Sequence, residues 1–210
     1  MTTIIRPAVT DDAAEVAKLM YISSISPVRN ALFDLMFPGD AEKRLEQLKG
    51  LYLADARSWF HFSHHLVAEV DGEVAAALCG YGESEAGRLK LAEALPEIGW
   101  GEQEGIAFAK RMEPVFRVYP TFADDVWIIE NVATFPEYRR MGLISSLLKE
   151  IVEAGRDNGY VKVGLGIIIG NIPARNAYEK VGFKVTQEYT DGSFEEIFGC
   201  PGMARMELEF

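Results

Sequence analysis

The chain is poor in the residues that most often announce chemistry. It has two cysteines, Cys79 and Cys200, and three histidines in 210 residues. Neither cysteine belongs to a C-x-x-C pair, which argues against a disulfide framework and against a thiolate metal site. The histidines His61, His64 and His65 crowd into "HFSHH". No carboxylate or cysteine at ligand spacing accompanies them, so surface or strand-edge positions are expected and no metal. Positive charge is scarce as well: 21 Lys and Arg against 32 Asp and Glu give a net charge of −11. Nucleic acids require a basic face that neutralises phosphates, so a nucleic-acid partner is not expected. An acidic surface mildly favours cationic or polar small substrates by long-range steering, and it equally serves solubility.

Long apolar runs are missing too. None approaches the length that crosses a bilayer, so no membrane partner is expected. The start, "MTTIIRPAVTDDAAEVAKLM", lacks the basic stretch and apolar core of a signal peptide, and a cytoplasmic location is expected. Low-complexity stretches, linkers and internal repeats are absent. One domain over residues 1–210 is the simplest organisation, and a homodimer stays open.

What is present alternates between the two periodicities of secondary structure. "TIIRPAV" reads as a strand, followed by a helix over "TDDAAEVAKLMYIS" with Asp11 or Asp12 as cap and Asp12 with Glu15 as capping box. After breaks at Pro27 and "FPGD", residues 40–57 read as a helix capped by Asp40, with Leu45, Leu48, Leu51 and Tyr52 on one face. "HLVAEVDGEVAAALCGYG" is a hairpin turning at Asp71-Gly72. Residues 84–120 lean helical, with breaks at Pro96, Gly99 and Gly101 and a helix near 102–117.

From residue 125 the order is strand, helix, strand, helix, strand. "DVWIIENVAT" is a strand; "MGLISSLLKEIVEAGRDNG" is a helix with Leu143, Leu147, Leu148, Ile151 and Val152 inward, stopped by Gly155 and Gly159. "VKVGLGIII" is the next strand, "IPARNAYEKVG" a short helix with Pro173 in its first turn, and "FKVTQEYT" and "ARMELEF" are strands. The stretch 189–202 carries Asp191, Glu195 and Glu196 and reads as a solvated acidic loop. The class is α/β with a mixed sheet. The glycines of "GLGIIIGN" do not make a dinucleotide fingerprint, because Gly164 and Gly166 fall within a strand and not at a turn opening a helix. In a strand they permit close backbone approach.

"VATFPEYRRMGLISSLL" is the most unusual stretch. A strand runs almost directly into a helix whose first amides have no intrahelical partner, with Arg139, Arg140 and Gly142 at the joint. Free amides, the positive end of the helix dipole and two arginines together form a site for a phosphate-bearing ligand. Each residue alone also fits a solvated helix start.

This stretch resembles the coenzyme-A signature of the GNAT superfamily of N-acetyltransferases: Gln or Arg, two residues, Gly, one residue, then Gly or Ala. Arg139, Gly142 and Ile144 occupy the three defined positions. Downstream, "NIPARNAYEKVGF" is similar to the family's N-x-x-A-x-x-x-Y-x-x-x-G-F segment, matched by Asn171, Ala174, Tyr178, Gly182 and Phe183. The two motifs cover residues 128–183. Ile144 departs from the pattern, since a branched side chain there obstructs a phosphate unless it turns into the core.

The resemblance implies a GNAT-like fold: one domain with a mixed, mostly antiparallel twisted sheet flanked by helices. It implies a coenzyme-A-binding core at about 125–190 and helical insertions at about 28–57 and 84–120 that wall the acceptor pocket. The implied activity is direct transfer of an acetyl group from acetyl-CoA to a primary amine of a small-molecule or peptide acceptor. A catalytically silent coenzyme-A sensor of the same fold is the alternative. The implied cofactor-binding residues are Val132, Ala133, Thr134, Arg139, Arg140, Met141, Gly142, Leu143, Ile144, Ser145, Asn171, Ala174 and Tyr178. Among them the Val132 N–H serves the oxyanion, and the Ala133–Thr134 backbone pairs with the pantetheine arm.

Such chemistry needs a neutral amine, a donor to the oxyanion and a proton for the departing thiolate. An alkyl amine with a pKa of roughly 10 arrives protonated, so a carboxylate must take its proton. Glu130, in the middle of "WIIENVAT", is either that general base or one half of a structural ion pair with an arginine from the hairpin. By the period of two it shares a face with Val132 and Thr134. The resemblance makes Tyr178 the acid; otherwise it is a core aromatic. Asn171 bonds either the pantetheine or, as an N-cap, its own helix. Cys200 receives no role.

Overall fold

The computed structural model of the chain describes residues 2–25 and 28–210, so the break expected at Pro27 lies outside the described residues. Among the described residues seven strands form one sheet: β1 (Thr3–Pro7), β2 (His65–Val70), β3 (Glu73–Gly82), β4 (Val126–Thr134), β5 (Lys162–Ile168), β6 (Lys184–Thr190) and β7 (Gly202–Glu209). Their order is β1-β2-β3-β4-β5-β7-β6. Every neighbouring pair is antiparallel except β4 and β5. The helices are α1 (Ala13–Ser23), α2 (Leu32–Met36), α3 (Ala41–Leu53), α4 (Glu83–Ala86), α5 (Arg88–Ala94), α6 (Glu102–Val118), α7 (Leu143–Asp157), α8 (Ile172–Val181) and α9 (Gly192–Phe198). This is the helix-flanked, mostly antiparallel α/β domain that the sequence leads one to expect.

Local chemistry accounts for most boundaries. Asp71 and Gly72 both take positive φ, 51° and 91°, and close the β2–β3 hairpin. Asp40 caps α3, its Oδ1 accepting the Lys43 N–H at 2.8 Å. That helix stops at Leu53, short of residue 57, because the Asp55 and Ala56 N–H groups turn outward to the Glu97 carboxylate at 2.7 and 2.9 Å. Asp12 does not cap α1 with its side chain. It lies in a 3-10 turn, accepts the Val9 N–H at 2.8 Å and is ion-paired to Arg6 at 2.7 Å. The charge-assisted bond to arginine outcompetes a simple cap.

Two other expectations change. Gly155 does not stop α7, which runs on to Asp157; a Cβ there would come within 2.8 Å of the Trp127 ring. The glycine is a close-approach residue, and Gly159 at φ 84° follows the true end. The acidic loop expected at 189–202 contains α9, capped by Asp191 Oδ1 on the Phe194 N–H at 3.0 Å, with Phe194 and Phe198 fully buried. Gly164 and Gly166 do permit close approach: a Cβ on Gly164 would meet Phe122 at 2.4 Å, and one on Gly166 would meet Pro120 at 3.3 Å.

The sheet separates two cores. On one face α7 buries Leu143, Leu147, Leu148, Ile151 and Val152 against Leu78, Trp127, Ile129 and Leu165, with Tyr178 and Phe183 beside them. The other face carries α1, α3, α6 and α9, whose Leu19, Leu51, Val115 and Phe198 pack around Ala77, Ala133 and Met203. The functional cleft opens where these faces meet at the middle of the sheet.

Candidate active site

Two features of the central strands make the cleft. The β4–β5 ladder pairs Val126–Ile129 with Lys162–Leu165 and ends there, while β4 continues along β3 to Thr134 and β5 along β7 to Ile168. The two strands part beyond Ile129, and their facing backbone edges no longer satisfy each other. In addition, β4 carries a bulge. Its register with β3 slips between Ala77↔Ala133 and Cys79↔Glu130, and Asn131 takes φ 55°. The extra residue overturns the expected alternation. Val132 packs with the α7-side core, whereas Ala133 joins the opposite core and Glu130 meets tyrosines on that opposite side. Glu130 and Val132 therefore do not share a face, although both line the cleft.

The cleft leads into a cavity of about 380 Å³. Glu130, Asn131 and Val132 line it from β4, Ile167 and Ile168 from β5, and Asn171, Ala174 and Tyr178 from α8 and its cap. Residues of α2, α5 and α6 close the far side. The structure thus brings Glu130, Val132, Asn171, Ala174 and Tyr178 to one space. Ala133, Thr134 and the Arg139–Ser145 segment lie outside that lining.

Glu130 is held by phenols, not by the arginine that an ion pair would need. Its Oε1 accepts the Tyr119 hydroxyl at 2.7 Å and the Tyr81 hydroxyl at 3.1 Å. Burial pushes its pKa up, against the lowering effect of the two phenols, to about 7. Burial and the neighbouring carboxylate in turn push both phenols well above their ordinary range. A carboxylate poised near neutral pH is suited to exchange a proton with an amine.

Tyr178 is buried and lies edge-on to Phe183, with ring centroids 6.2 Å apart. Burial raises its pKa, so at neutral pH it carries its proton. Asn171 caps α8, its Oδ1 accepting the Ala174 N–H at 3.3 Å, and also faces the cavity. Its two sequence readings are compatible.

At the start of α7, Gly142 adopts φ 79° as the N-cap, and Arg140 takes φ 66°. The first helical bond of this turn runs from the Ser146 N–H to the Gly142 carbonyl at 3.1 Å. The amides of Leu143, Ile144 and Ser145 thus precede the ladder. No acidic residue occupies this first turn, and Arg139, Arg140 and Met141 are exposed. A Cβ on Gly142 would meet no protein atom within 4 Å. Ile144 is half-buried and packs against the α7-side core. The loop is accordingly open, positively polarised and clear of its own branched side chain, which fits a pyrophosphate.

Sequence reasoning missed Tyr81 and Tyr119, which stand 49 and 11 residues from Glu130. Neither sits at a spacing that marks a partner. Of the histidines expected at the surface or a strand edge, His61 and His65 are buried and His64 is half-buried, and burial lowers the pKa values of His61 and His65 to about 4 and about 3. Among the described residues no group of three or more His, Cys, Asp or Glu is placed to hold a metal. Cys79 and Cys200 are free and buried. No helix among the described residues is long and apolar enough to cross a membrane.

An open sheet with parting central strands, a polarised loop at a helix start and a carboxylate in the cleft are the features of this fold that suit acyl transfer. Residues 30–183 match the model of the Acetyltransferase (GNAT) family, and the chain belongs to that family. An N-alpha-acetyltransferase of Sulfurisphaera tokodaii is 26% identical over 168 residues, covering 74% of this chain and 84% of that protein. An N-acetyltransferase from Staphylococcus aureus Mu50 superposes with a TM-score of 0.70 at 25% identity, over 98% of this chain and 100% of that one. An N-acetyltransferase from Thermoplasma acidophilum, solved in complex with coenzyme A, shares the fold at TM-score 0.54 and 14% identity, over 100% of each chain. Membership of that family makes this chain an N-acetyltransferase.

Proposed function

We propose that the protein acetylates a primary amine of a small molecule bound in the cavity beside Glu130. The observation that carries this reading is a carboxylate lining the cavity and held by two phenols, with burial raising its pKa to about 7. Acetyl-CoA supplies an acetyl group activated as a thioester. Arg139, Arg140 and the amides from Met141 to Ser145 hold its pyrophosphate. The β4 edge at Ala133 and Thr134 receives the pantetheine, with Asn171 and Ala174 facing it across the cleft.

The acceptor enters as an ammonium ion and gives its proton to Glu130. The Val132 N–H, at the bulge, serves the oxyanion, and Tyr178 holds the phenolic proton that a departing thiolate requires. The helical segments at 28–57 and 84–120 act as the walls of the acceptor pocket; α2, α5 and α6 line it. A recessed cavity of about 380 Å³ favours a small amine over an extended peptide. Glu130 and Tyr178 on one cavity, groups that a silent coenzyme-A sensor would not need, favour turnover over that alternative. The test is incubation with acetyl-CoA and a panel of amines, following free thiol and acetylated product together. Equimolar thiol and acetyl-amine are expected. Coenzyme A binding without turnover on any amine would favour the sensor.

A further inference from the structure

We infer that the acceptor carries its amine on an apolar, aromatic body, as an arylalkylamine does. This rests on the proposed function and names its substrate class. Beside Glu130, Trp59 and Tyr81 stack with centroids 5.8 Å apart and planes 16° from parallel, and Tyr81 donates to the Glu130 carboxylate. Phe33, Phe108, Phe116 and Phe122 continue the lining. Stacked rings beside a carboxylate suit an ammonium group attached to an aromatic plane.

Most polar side chains of this wall already hold protein partners. Ser23 and Ser24 donate their hydroxyls to the Met20 and Tyr21 carbonyls at 2.6 and 2.7 Å. Tyr81 and Tyr119 both donate to Glu130. Glu83 and Arg88, the other charged side chains of the lining, pair with each other at 3.3 Å. Glu130 is thus the lining carboxylate without an ion-pair partner among the described residues. A second ammonium or a set of sugar hydroxyls would exchange water for a largely apolar wall, whereas an aromatic body gains from the same desolvation.

The test compares kcat/KM for phenethylamine and tryptamine with that for spermidine, lysine and kanamycin, at saturating acetyl-CoA, by thiol release. The arylalkylamines are expected to lead by at least about tenfold. Equal or higher values for spermidine, lysine or kanamycin would overturn the inference while leaving amine acetylation intact. Thiol release with none of the five would instead defeat the parent reading, and this inference with it. Phe116 lines the cavity yet is 50% exposed, so Phe116→Ser spares the core. That variant is expected to raise the KM for phenethylamine about tenfold with little change in kcat. An unchanged KM would count against the aromatic wall.

Discussion

The Tyr119 hydroxyl donates to Glu130 Oε1 at 2.7 Å, joining the end of α6 to the strand at the centre of the sheet. Tyr81 meets the same oxygen at 3.1 Å from β3. No salt bridge to Glu130 is present among the described residues, so hydrogen bonds alone stabilise its charged form. Two phenols offset only part of the burial, and the carboxyl settles near pH 7.

Replacing Tyr119 by Phe removes the donor at 2.7 Å, one of the two groups that favour the carboxylate. The acid limb of the kcat/KM profile is expected to move to higher pH, by roughly tenfold in proton affinity. A pH-rate series on the variant measures it, and an unmoved limb would show that Tyr119 does not tune the base.

The raised pKa also links Glu130 to stability. Between the unfolded value of 4.5 and the folded value of about 7 the native state holds a proton that the unfolded chain has released. Stability therefore falls as pH rises through that window, by up to a few kcal/mol. Glu130→Gln keeps a partner for both phenols and cannot ionise. Its Tm is expected to exceed that of the parent above pH 7 and to match it near pH 4.5. Thermal melts across pH check the sign.

Tyr178→Phe removes the proton donor and keeps the ring against Phe183. A fall in kcat of about a hundredfold is expected, with coenzyme A affinity nearly unchanged. Full activity in the variant would leave Tyr178 as a core aromatic only.

At the pyrophosphate loop, Arg139→Ala is expected to weaken coenzyme A binding severalfold and to flatten its salt dependence. Gly142→Ala meets no steric block but must hold φ 79° with a side chain, which costs about 1 kcal/mol and is expected to lower Tm. Titrations at two ionic strengths and a melt distinguish charge from strain.

Much of this was legible because the signals are local. Asp71-Gly72 specified its hairpin, the apolar spacing of Leu143 to Val152 specified the buried face of α7, and the two motifs located the loop and Tyr178. What was not legible depends on tertiary approach. Asn131 offers no glycine to announce a bulge, so simple alternation misplaced Val132 relative to Glu130. Gly155 read as a helix stop because the Trp127 ring it accommodates lies on another element. The helix at 192–198 was hidden by its acidic residues, although the Asp191 cap, the Phe194–Phe198 pair and Gly199 were all in view. Tyr81 and Tyr119 reach Glu130 only once the sheet and α6 have assembled.

The most direct test of the account is the pH dependence of kcat/KM for amine acetylation in the parent protein and in Glu130→Gln. The base acts when deprotonated, so parent activity should fall as pH drops below about 7. The variant should be slower and should lack that limb. Superimposable profiles for the two proteins would contradict the assignment of Glu130 as the base.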